Sequence, residues 1–451
     1  MSIKYYKHQE DTIKFCANNN DHVMIGSDAG TGKTMCVLER IKAKAPKPGE
    51  FIAVLAPKSI VRTAWEGDMA KVNFPVPYFV GLSSAKAKIK AINEAREAGG
   101  ILLTNHQTVF ELLDNAKGLK GIIVDESTAF KNRTAKQTKA MLKLSKRDLD
   151  LRIPMSGTPT PQTVMDLWSQ IEIARPGFLP PYFKLRGELQ YPSTIQVGGG
   201  RTAMQWKDRP DADVWLAQML EPVMIRYAKH ECLDLPEQTL RTIKVQLSKK
   251  LRAIYDQFAK DAILELEGGD AVGVNAAVVA QKLLQITSGF VYGDDMAHNL
   301  SPERYELVVE LIEERRHSLV ACPLREQMRG LSVKLKSAGI THTQINGDTP
   351  ADERAKIIED YQDGKYQTLL CSPKALSHGA TLTRADTIIW ASPVRSTEEF
   401  AQFNARIDRI GQDKKNEVIM IAADDTYEIR AYELLMTKVN RQLSLLDLLG
   451  D

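Results

Sequence analysis

Cysteine is scarce in this 451-residue chain: there are five, Cys16, Cys36, Cys232, Cys322 and Cys371, odd in number and never in CxxC spacing. That excludes a disulfide framework and argues for reduced thiols in a cytosol-like compartment. An excess of one charge is lacking too. Sixty basic residues face 57 acidic ones, a net charge of +3, so affinity for a polyanion must come from local patches and not from bulk charge. No stretch approaches 18 consecutive apolar residues, which excludes a membrane-spanning helix. The first ten residues are already charged and lack the apolar core of a signal peptide, so the expected location is the cytoplasm. Low-complexity segments and repeats of 20 to 50 residues are absent as well. What is present is ample apolar material: 43% hydrophobic and 26% charged residues exclude a disordered or collagenous chain. At about 150 residues per domain, the length suggests roughly two or three folding units.

Short apolar runs alternate with segments of helical period, the pattern of parallel sheets with crossover helices. His22–Ile25, Phe51–Leu55, Gly100–Leu103 and Gly121–Val124 read as strands buried on both faces. From about residue 175 to 300 the pattern breaks, with Pro176-Gly-Phe-Leu-Pro-Pro181, Gly198-Gly-Gly200 and Gly268-Gly269 punctuating longer helical stretches. It returns with the strand candidates His317–Ala321, Thr368–Cys371, Thr387–Trp390 and Val418–Ala422. The expected fold class is α/β, two parallel-sheet lobes with a mostly helical insert between them. The expected divisions are a first lobe over 1–228 with its insert from about 175, a helical linker or protrusion over 229–300, and a second lobe over 301–451. The last apolar-patterned segment, Tyr427–Leu449, reads as a brace on the core and not as a partner-binding helix.

Gly26-Ser-Asp-Ala-Gly-Thr-Gly-Lys-Thr34 lies between a strand candidate and the helical segment Met35–Ala45, the context a phosphate-binding loop requires. Backbone N–H groups of Asp28, Ala29, Gly30, Thr31 and Gly32 are placed to converge on phosphate oxygens. Lys33 would neutralise the β- and γ-phosphates, and the Thr34 hydroxyl would ligate magnesium. The alternative is a glycine-rich turn without ligand. Gly121-Ile-Ile-Val-Asp-Glu126 ends a strand in two carboxylates, of which Asp125 would hold the magnesium and Glu126 activate water; by itself such a pair is common. The segment Gln402–Gln412 sets Arg406 and Arg409 three apart, on one face if helical. They suit the charge that develops in phosphoryl transfer, although a salt-bridged helix face is the commoner fate of paired arginines.

In this order the motifs resemble superfamily two helicases, and more narrowly the Swi/Snf-type double-stranded DNA translocases, over nearly the whole chain. Gln9, after Lys7-His8, is similar to the adenine-reading glutamine. Leu55-Ala-Pro-Lys-Ser59 with Trp65 resembles the first DNA-contacting motif and Leu103-Thr-Asn-His106 the next. Val124-Asp-Glu-Ser-Thr-Ala-Phe-Lys-Asn132 resembles the Asp-Glu box. Ile153-Pro-Met-Ser-Gly-Thr-Pro159, with Asp166-Leu-Trp168 and Arg175-Pro-Gly177, resembles the segment coupling hydrolysis to lobe movement. Asn346–Arg354 and Gly379–Asp386 are similar to later motifs, and Arg406 and Arg409 fall on the arginine fingers. Phe183-Lys-Leu-Arg186, Met224-Ile-Arg226, Leu235-Pro236 and Gln285–Gly289 most resemble the annealing-helicase (HARP-like) branch and compact phage or bacterial relatives.

The resemblance implies two RecA-like lobes that clamp ATP and Mg2+, with Lys33, Asp125, Glu126, Arg406 and Arg409 catalytic and Gln9 and Gly379 joining the loop around the nucleotide. It implies DNA contacts from Lys58, Ser59, Asn105, Lys131, Asn132, Arg325, Ser372 and Lys374, each weighed against the solvated charge or polar group that such surface residues usually are. Trp65 and Trp390 read as core residues. The eight histidines do not pair at ligand spacing, so no metal beyond magnesium is expected. Four departures stand out: Ser27 replaces the first glycine of the usual phosphate-loop spacing, Thr128 and Asp408 occupy positions where histidine is usual, and Leu376-Ser377 replaces a Gly-Gly pair. Residues Gln196–Trp206 read as a hairpin or a plain surface loop. The leading functional expectation is a monomeric motor of a bacterial or phage-infected cell that moves along duplex DNA and remodels forked or branched DNA. The alternatives are a duplex translocase that displaces bound proteins without strand separation and an ATP-gated DNA-binding switch.

Overall fold

The apolar runs of the first 230 residues form one parallel sheet. Its strands are β1 (Met24–Ile25), β2 (Phe51–Ala56), β3 (Tyr78–Gly81), β4 (Gly100–Asn105), β5 (Leu119–Asp125) and β6 (Leu151–Met155). A separate pair follows, β7 (Gln190–Gln196) with β8 (Thr202–Asp208), and then β9 (Met224–Ile225) returns to the sheet, whose order is β3-β4-β2-β5-β6-β1-β9. All six residues of β2 are buried, as a central strand covered on both faces demands. The computed structural model describes residues 5–196, 202–232, 238–268, 272–293, 296–299, 302–376, 380–409 and 412–447.

The second sheet comprises β10 (Gln238–Val245), β13 (Ser318–Ala321), β14 (His342–Ile345), β15 (Thr368–Cys371), β16 (Thr387–Trp390) and β17 (Asn416–Ala423), after the small pair β11 (Phe290–Gly293) and β12 (Met296–Asn299). It is parallel throughout, in the order β10-β17-β16-β13-β15-β14. The chain thus divides into one unit of Met1–Tyr191, Lys207–Asp234 and Asn440–Asp451 and a second of Pro192–Trp206 and Leu235–Val439, an α/β arrangement of two parallel sheets.

The stretch expected to be a helical linker contains β10, the edge strand of the second sheet, paired with β17 over its whole length. The reason is its composition. Gln238–Val245 carries five polar residues and only three apolar ones, Leu240, Ile243 and Val245, and is largely exposed, as an edge strand permits, so it offers no continuous apolar run. The helices Lys249–Gly268 and Val272–Thr287 supply the helical part. Of the two readings of 196–206, a hairpin and a plain surface loop, the strand pair β7–β8 matches the hairpin, with its turn, Gly198 to Arg201 included, outside the described residues. The helix Tyr427–Asp447 lays Tyr432 and Leu435 into the core of the second sheet. Among the described residues no helix is long and apolar enough to cross a membrane, and all five cysteines are free.

Local signals explain the element ends. Ser84 caps the helix Ala85–Ala98 by accepting the Ala87 N–H, and Gly99 closes it in the left-handed region at φ +67°. A Cβ there would stand 2.5 Å from the Lys47 carbonyl carbon, so only glycine fits.

Candidate nucleotide site and its neighbours

Five expected motifs leave the first sheet at one edge, the carboxyl ends of its strands. The phosphate loop follows β1, Lys58 and Ser59 follow β2, Asn105 ends β4, Asp125 ends β5, and the Ser156-Gly-Thr158 run follows β6. Strands β5, β6 and β1 are neighbours, so the loop, the carboxylates and the coupling run are brought together by the topology. Ligands of open α/β sheets bind at that edge.

Gly30 and Gly32 both take positive φ, +90° and +82°, and the helix Lys33–Ala43 begins directly after Gly32. Its first N–H groups face the loop, where the helix dipole favours an anion. Lys33 folds its ammonium onto the carbonyls of Ser27 (2.8 Å) and Asp28 (2.9 Å). The side chain of Gln9 bridges the loop to its own helix: Nε2 donates to the Thr31 carbonyl and Oε1 accepts the Tyr6 N–H. His8 Nε2 also lies 2.9 Å from the Thr31 carbonyl. Ser27, at the place where the usual loop has glycine, is buried and used. Its hydroxyl accepts the Tyr227 N–H at 3.0 Å, while the Asp28 carboxylate accepts the Lys229 N–H at 3.0 Å and sits 3.7 Å from the buried Arg226 guanidinium. The segment after β9 is thereby fastened alongside the phosphate loop.

Asp125 is buried, and burial pushes its carboxyl pKa up, against the lowering influence of the Trp65 indole and the Lys33 charge. Its Oδ2 accepts the Trp65 N–H at 2.9 Å and its Oδ1 the Glu126 N–H at 3.0 Å. The buried Asp125 carboxylate and the Thr34 hydroxyl, in the first turn of the helix Lys33–Ala43, would offer hard-oxygen donors of the kind magnesium takes, its other ligands coming from phosphates and water. Glu126 sits at φ +50°, a region non-glycine residues rarely adopt and one that recurs at functional sites. His106 places Nε2 2.7 Å from the Asp125 carbonyl, and burial lowers the imidazole pKa.

The coupling run touches both partners. Ser156 donates its N–H to the Ile25 carbonyl at 3.1 Å, and a Cβ on Gly157 would stand 3.1 Å from the Ala29 nitrogen. Thr128, where histidine is usual, brings its hydroxyl 3.5 Å from that of Ser156. A second link was not read from the sequence. The Ser127 hydroxyl donates to Gln170, whose amide donates to the Pro159 carbonyl at 2.8 Å. Trp65, read as core, is fully buried and yet also a partner of Asp125; the signal available was that a buried indole N–H needs an acceptor.

In the second unit the expected arginines do not lie on a helix. The helix Thr397–Asn404 ends before them, and Arg406 and Arg409 occupy the turn that follows. Their Nη1 atoms donate to the Ala380 carbonyl (3.0 Å) and the Thr381 hydroxyl (3.1 Å). Arg406 is buried, and burial pushes the Arg409 pKa down. Gly379 lies outside the described residues.

Of the residues assigned to DNA, Lys58 is exposed at the start of the short helix that also holds Ser59. Asn105 accepts the Thr108 hydroxyl, and Asn132, after Lys131, accepts the N–H and hydroxyl of Thr134. Ser372 and Lys374 follow β15. Arg325, which opens the helix Arg325–Ser337, pairs in the open with Asp348 at 2.9 Å, and Lys374 lies 3.9 Å from Glu399.

Comparison with known proteins shows the family. The SNF2-related domain family matches residues 8–288, and the helicase conserved C-terminal domain family matches residues 303–411. Putative protein p41 of Acyrthosiphon pisum secondary endosymbiont phage 1 is 25% identical, the match covering 93% of this chain and 91% of that protein. An uncharacterized ATP-dependent helicase of Mycoplasma genitalium, MG018, is 24% identical over 96% of this chain, which spans only 41% of that longer protein. Among solved structures, the Sulfolobus solfataricus SWI2/SNF2 ATPase core in complex with dsDNA is 19% identical, covering 97% of this chain and 92% of that one at a TM-score of 0.42. Because the first family takes in more than half of the chain and the second follows it, the chain belongs to the SNF2-related family and is an ATP-using enzyme of the helicase class.

Proposed function

We propose that the protein is a DNA-dependent ATPase that moves along duplex DNA and uses that movement to remodel forked or branched DNA. The observation that carries this reading is the common edge of the first sheet. There the phosphate loop, the Asp125-Glu126 pair, the Ser156–Thr158 run and two of the DNA-assigned segments, Lys58-Ser59 and Asn105, leave neighbouring strands. Lys33 and the loop N–H groups bind the phosphates, Thr34 and Asp125 hold Mg2+, Glu126 orients the attacking water, and Gln9 reads adenine. Arg406 and Arg409 stabilise the developing charge as arginine fingers. The ion supplies charge neutralisation at the phosphates; the protein supplies the aim of each group. The exposed DNA-assigned residues Lys58 and Asn132, with Lys131, Arg325, Ser372 and Lys374, suit contacts to phosphate and sugar, which position a protein without reading sequence. We further assign the first lobe to 1–228, the protrusion to 229–300 apart from β10, which belongs to the second sheet, and the second lobe to 301–451, acting as a monomer, and give β7–β8 the role of meeting the fork.

The test is ATP hydrolysis by the purified protein with no nucleic acid, single-stranded DNA, linear duplex, forked or four-way DNA, and RNA, alongside strand exchange on a movable junction. The expected result is strongest stimulation by branched DNA with ATP-dependent junction movement. Stimulation by linear duplex without strand movement would replace this reading with a translocase acting on bound proteins. Deleting residues 197–202 should impair fork processing and spare duplex-stimulated hydrolysis; equal loss of both removes the hairpin's role.

A further inference from the structure

Two of the three DNA-assigned segments of the first unit, Lys58-Ser59 and Asn105, are each followed by a ring that hydrogen-bonds the same residue, Asp125. After Lys58 and Ser59 the chain enters a single π-helical stretch, Val61–Glu66, and Trp65 within it donates its indole N–H to the Asp125 carboxylate at 2.9 Å. Directly after Asn105 comes His106, whose Nε2 lies 2.7 Å from the Asp125 carbonyl. A carbonyl oxygen only accepts, so this nitrogen carries a proton and donates. One ring therefore holds the side chain of Asp125 and the other its backbone, from two different strands. The backbone they hold leads straight into Glu126 at φ +50°.

The local structure suits transmission. Trp65 is fully buried and packs with Ile60, Val61 and Met69 in the core beneath β2, so it has no freedom to swing independently of the segment that carries it. Six residues of π-helix are an uncommon use of backbone, found most often at functional sites. His106 is pinned edge-on by Phe130, from the turn that follows the acidic pair. A shift of Lys58 or Asn105 toward a phosphate backbone would be carried by these two rings to the carboxylate and to the peptide before Glu126.

We infer that Trp65 and His106 are positioning residues through which DNA contact sets the aim of Asp125, so that nucleic acid stimulates hydrolysis from within the first unit. The inference rests on the proposed DNA-dependent ATPase. It explains why a tryptophan and a histidine stand at these positions: each combines a buried apolar body with one N–H donor.

The experiment uses the full chain with Trp65→Phe, which keeps an aromatic ring and removes the donor. Beside it stand His106→Phe and His106→Gln, the last retaining a side-chain N–H. The readings are kcat and KM for ATP with and without duplex DNA, the Mg2+ concentration for half-maximal rate, and duplex affinity by fluorescence anisotropy. Loss of one such bond should lower the DNA-stimulated kcat about tenfold more than the basal rate, equivalent to about 1.4 kcal/mol. The Mg2+ requirement should rise, while DNA affinity and the KM for ATP stay within about twofold. His106→Gln should recover part of what His106→Phe loses. Unchanged stimulation and Mg2+ dependence in both Trp65→Phe and His106→Phe would overturn the inference while leaving the function standing. So would parallel loss of basal rate, DNA affinity and stimulation, the mark of a merely structural role. A wild-type protein whose hydrolysis ignores DNA would overturn both.

Discussion

Replacing Glu428 by leucine should destabilise the second unit by about 3–5 kcal/mol, the usual cost of stripping one partner from a buried ion pair. Glu428 and Arg304 meet at 2.5 Å with both side chains wholly buried. The same carboxylate accepts the Thr287 hydroxyl (2.7 Å) and the Ala423 N–H (2.6 Å), and Arg304 also donates to the Ala391 carbonyl. One carboxylate thus ties together the helices Val272–Thr287, Pro302–Glu313 and Tyr427–Asp447 and the end of β17. The leucine variant leaves a guanidinium charge buried with no carboxylate to balance it. For a unit of about 200 residues each kcal/mol moves the melting temperature by about 2–4 °C, so a fall of about 6–20 °C is expected in the unit's thermal transition followed by circular dichroism. Arg304→Met alone should cost a similar amount. The double variant, Arg304→Met with Glu428→Leu, removes the stranded charge and should be less destabilised than the sum of the singles by about 2 kcal/mol or more. Strict additivity would refute the reasoning, because it would mean that the two groups hold the fold independently.

Three further outcomes follow from the site and the second sheet. Lys33→Ala and Glu126→Gln should each abolish ATP hydrolysis without changing the circular dichroism spectrum; near-normal turnover in a phosphate-release assay would remove the assignment. Gly32→Ala must place a Cβ 2.2 Å from the Gln9 amide nitrogen at φ +82°. The left-handed backbone alone costs about 1–2 kcal/mol, so binding of a fluorescent ATP analogue should weaken about tenfold or more, and unweakened binding would show that the loop does not hold nucleotide in this form. Glu417 has a lowered pKa: burial would raise it, but hydrogen bonds from Arg315 and Arg241 prevail. Its contribution is complete above the ordinary glutamate range and is lost as pH falls through the lowered folded value. Glu417→Gln should therefore reduce the urea midpoint of the second unit at neutral pH and narrow its difference from wild type at strongly acid pH; an equal deficit at both would exclude the linkage.

Much of the sheet was legible because central parallel strands are buried on both faces, and runs such as Phe51–Ala56 and Thr368–Cys371 have no other reading at that length. The edge strand β10 escaped because exposure lets it be mostly polar, with no apolar run, and β9 because two residues make no pattern. The phosphate loop was legible for a related reason: it needs glycines at positive φ and a lysine at fixed spacing, so its chemistry is written in consecutive residues. The arginine turn shows the opposite case. Spacing of three suggests a helix face, yet Arg406 spends its donors on Gln402 and Ala380 after the helix has ended.

What the sequence could not display is pairing across long separations. Trp65 and Asp125 are 60 residues apart, Ser27 and Tyr227 are 200 apart, and Ser127 and Gln170 are 43 apart. Each pair joins an ordinary core-forming or turn-forming residue to the motif it supports. No local periodicity marks such residues, since a buried tryptophan reads the same whether its N–H faces a backbone carbonyl or a side-chain carboxylate. The demand that every buried donor find an acceptor does constrain them, but it becomes usable only once strand order is known. With the order β4-β2-β5, the indole following β2 and the imidazole following β4 both leave the sheet on one side of the residue that ends β5, and Asp125 is the acceptor within reach of each.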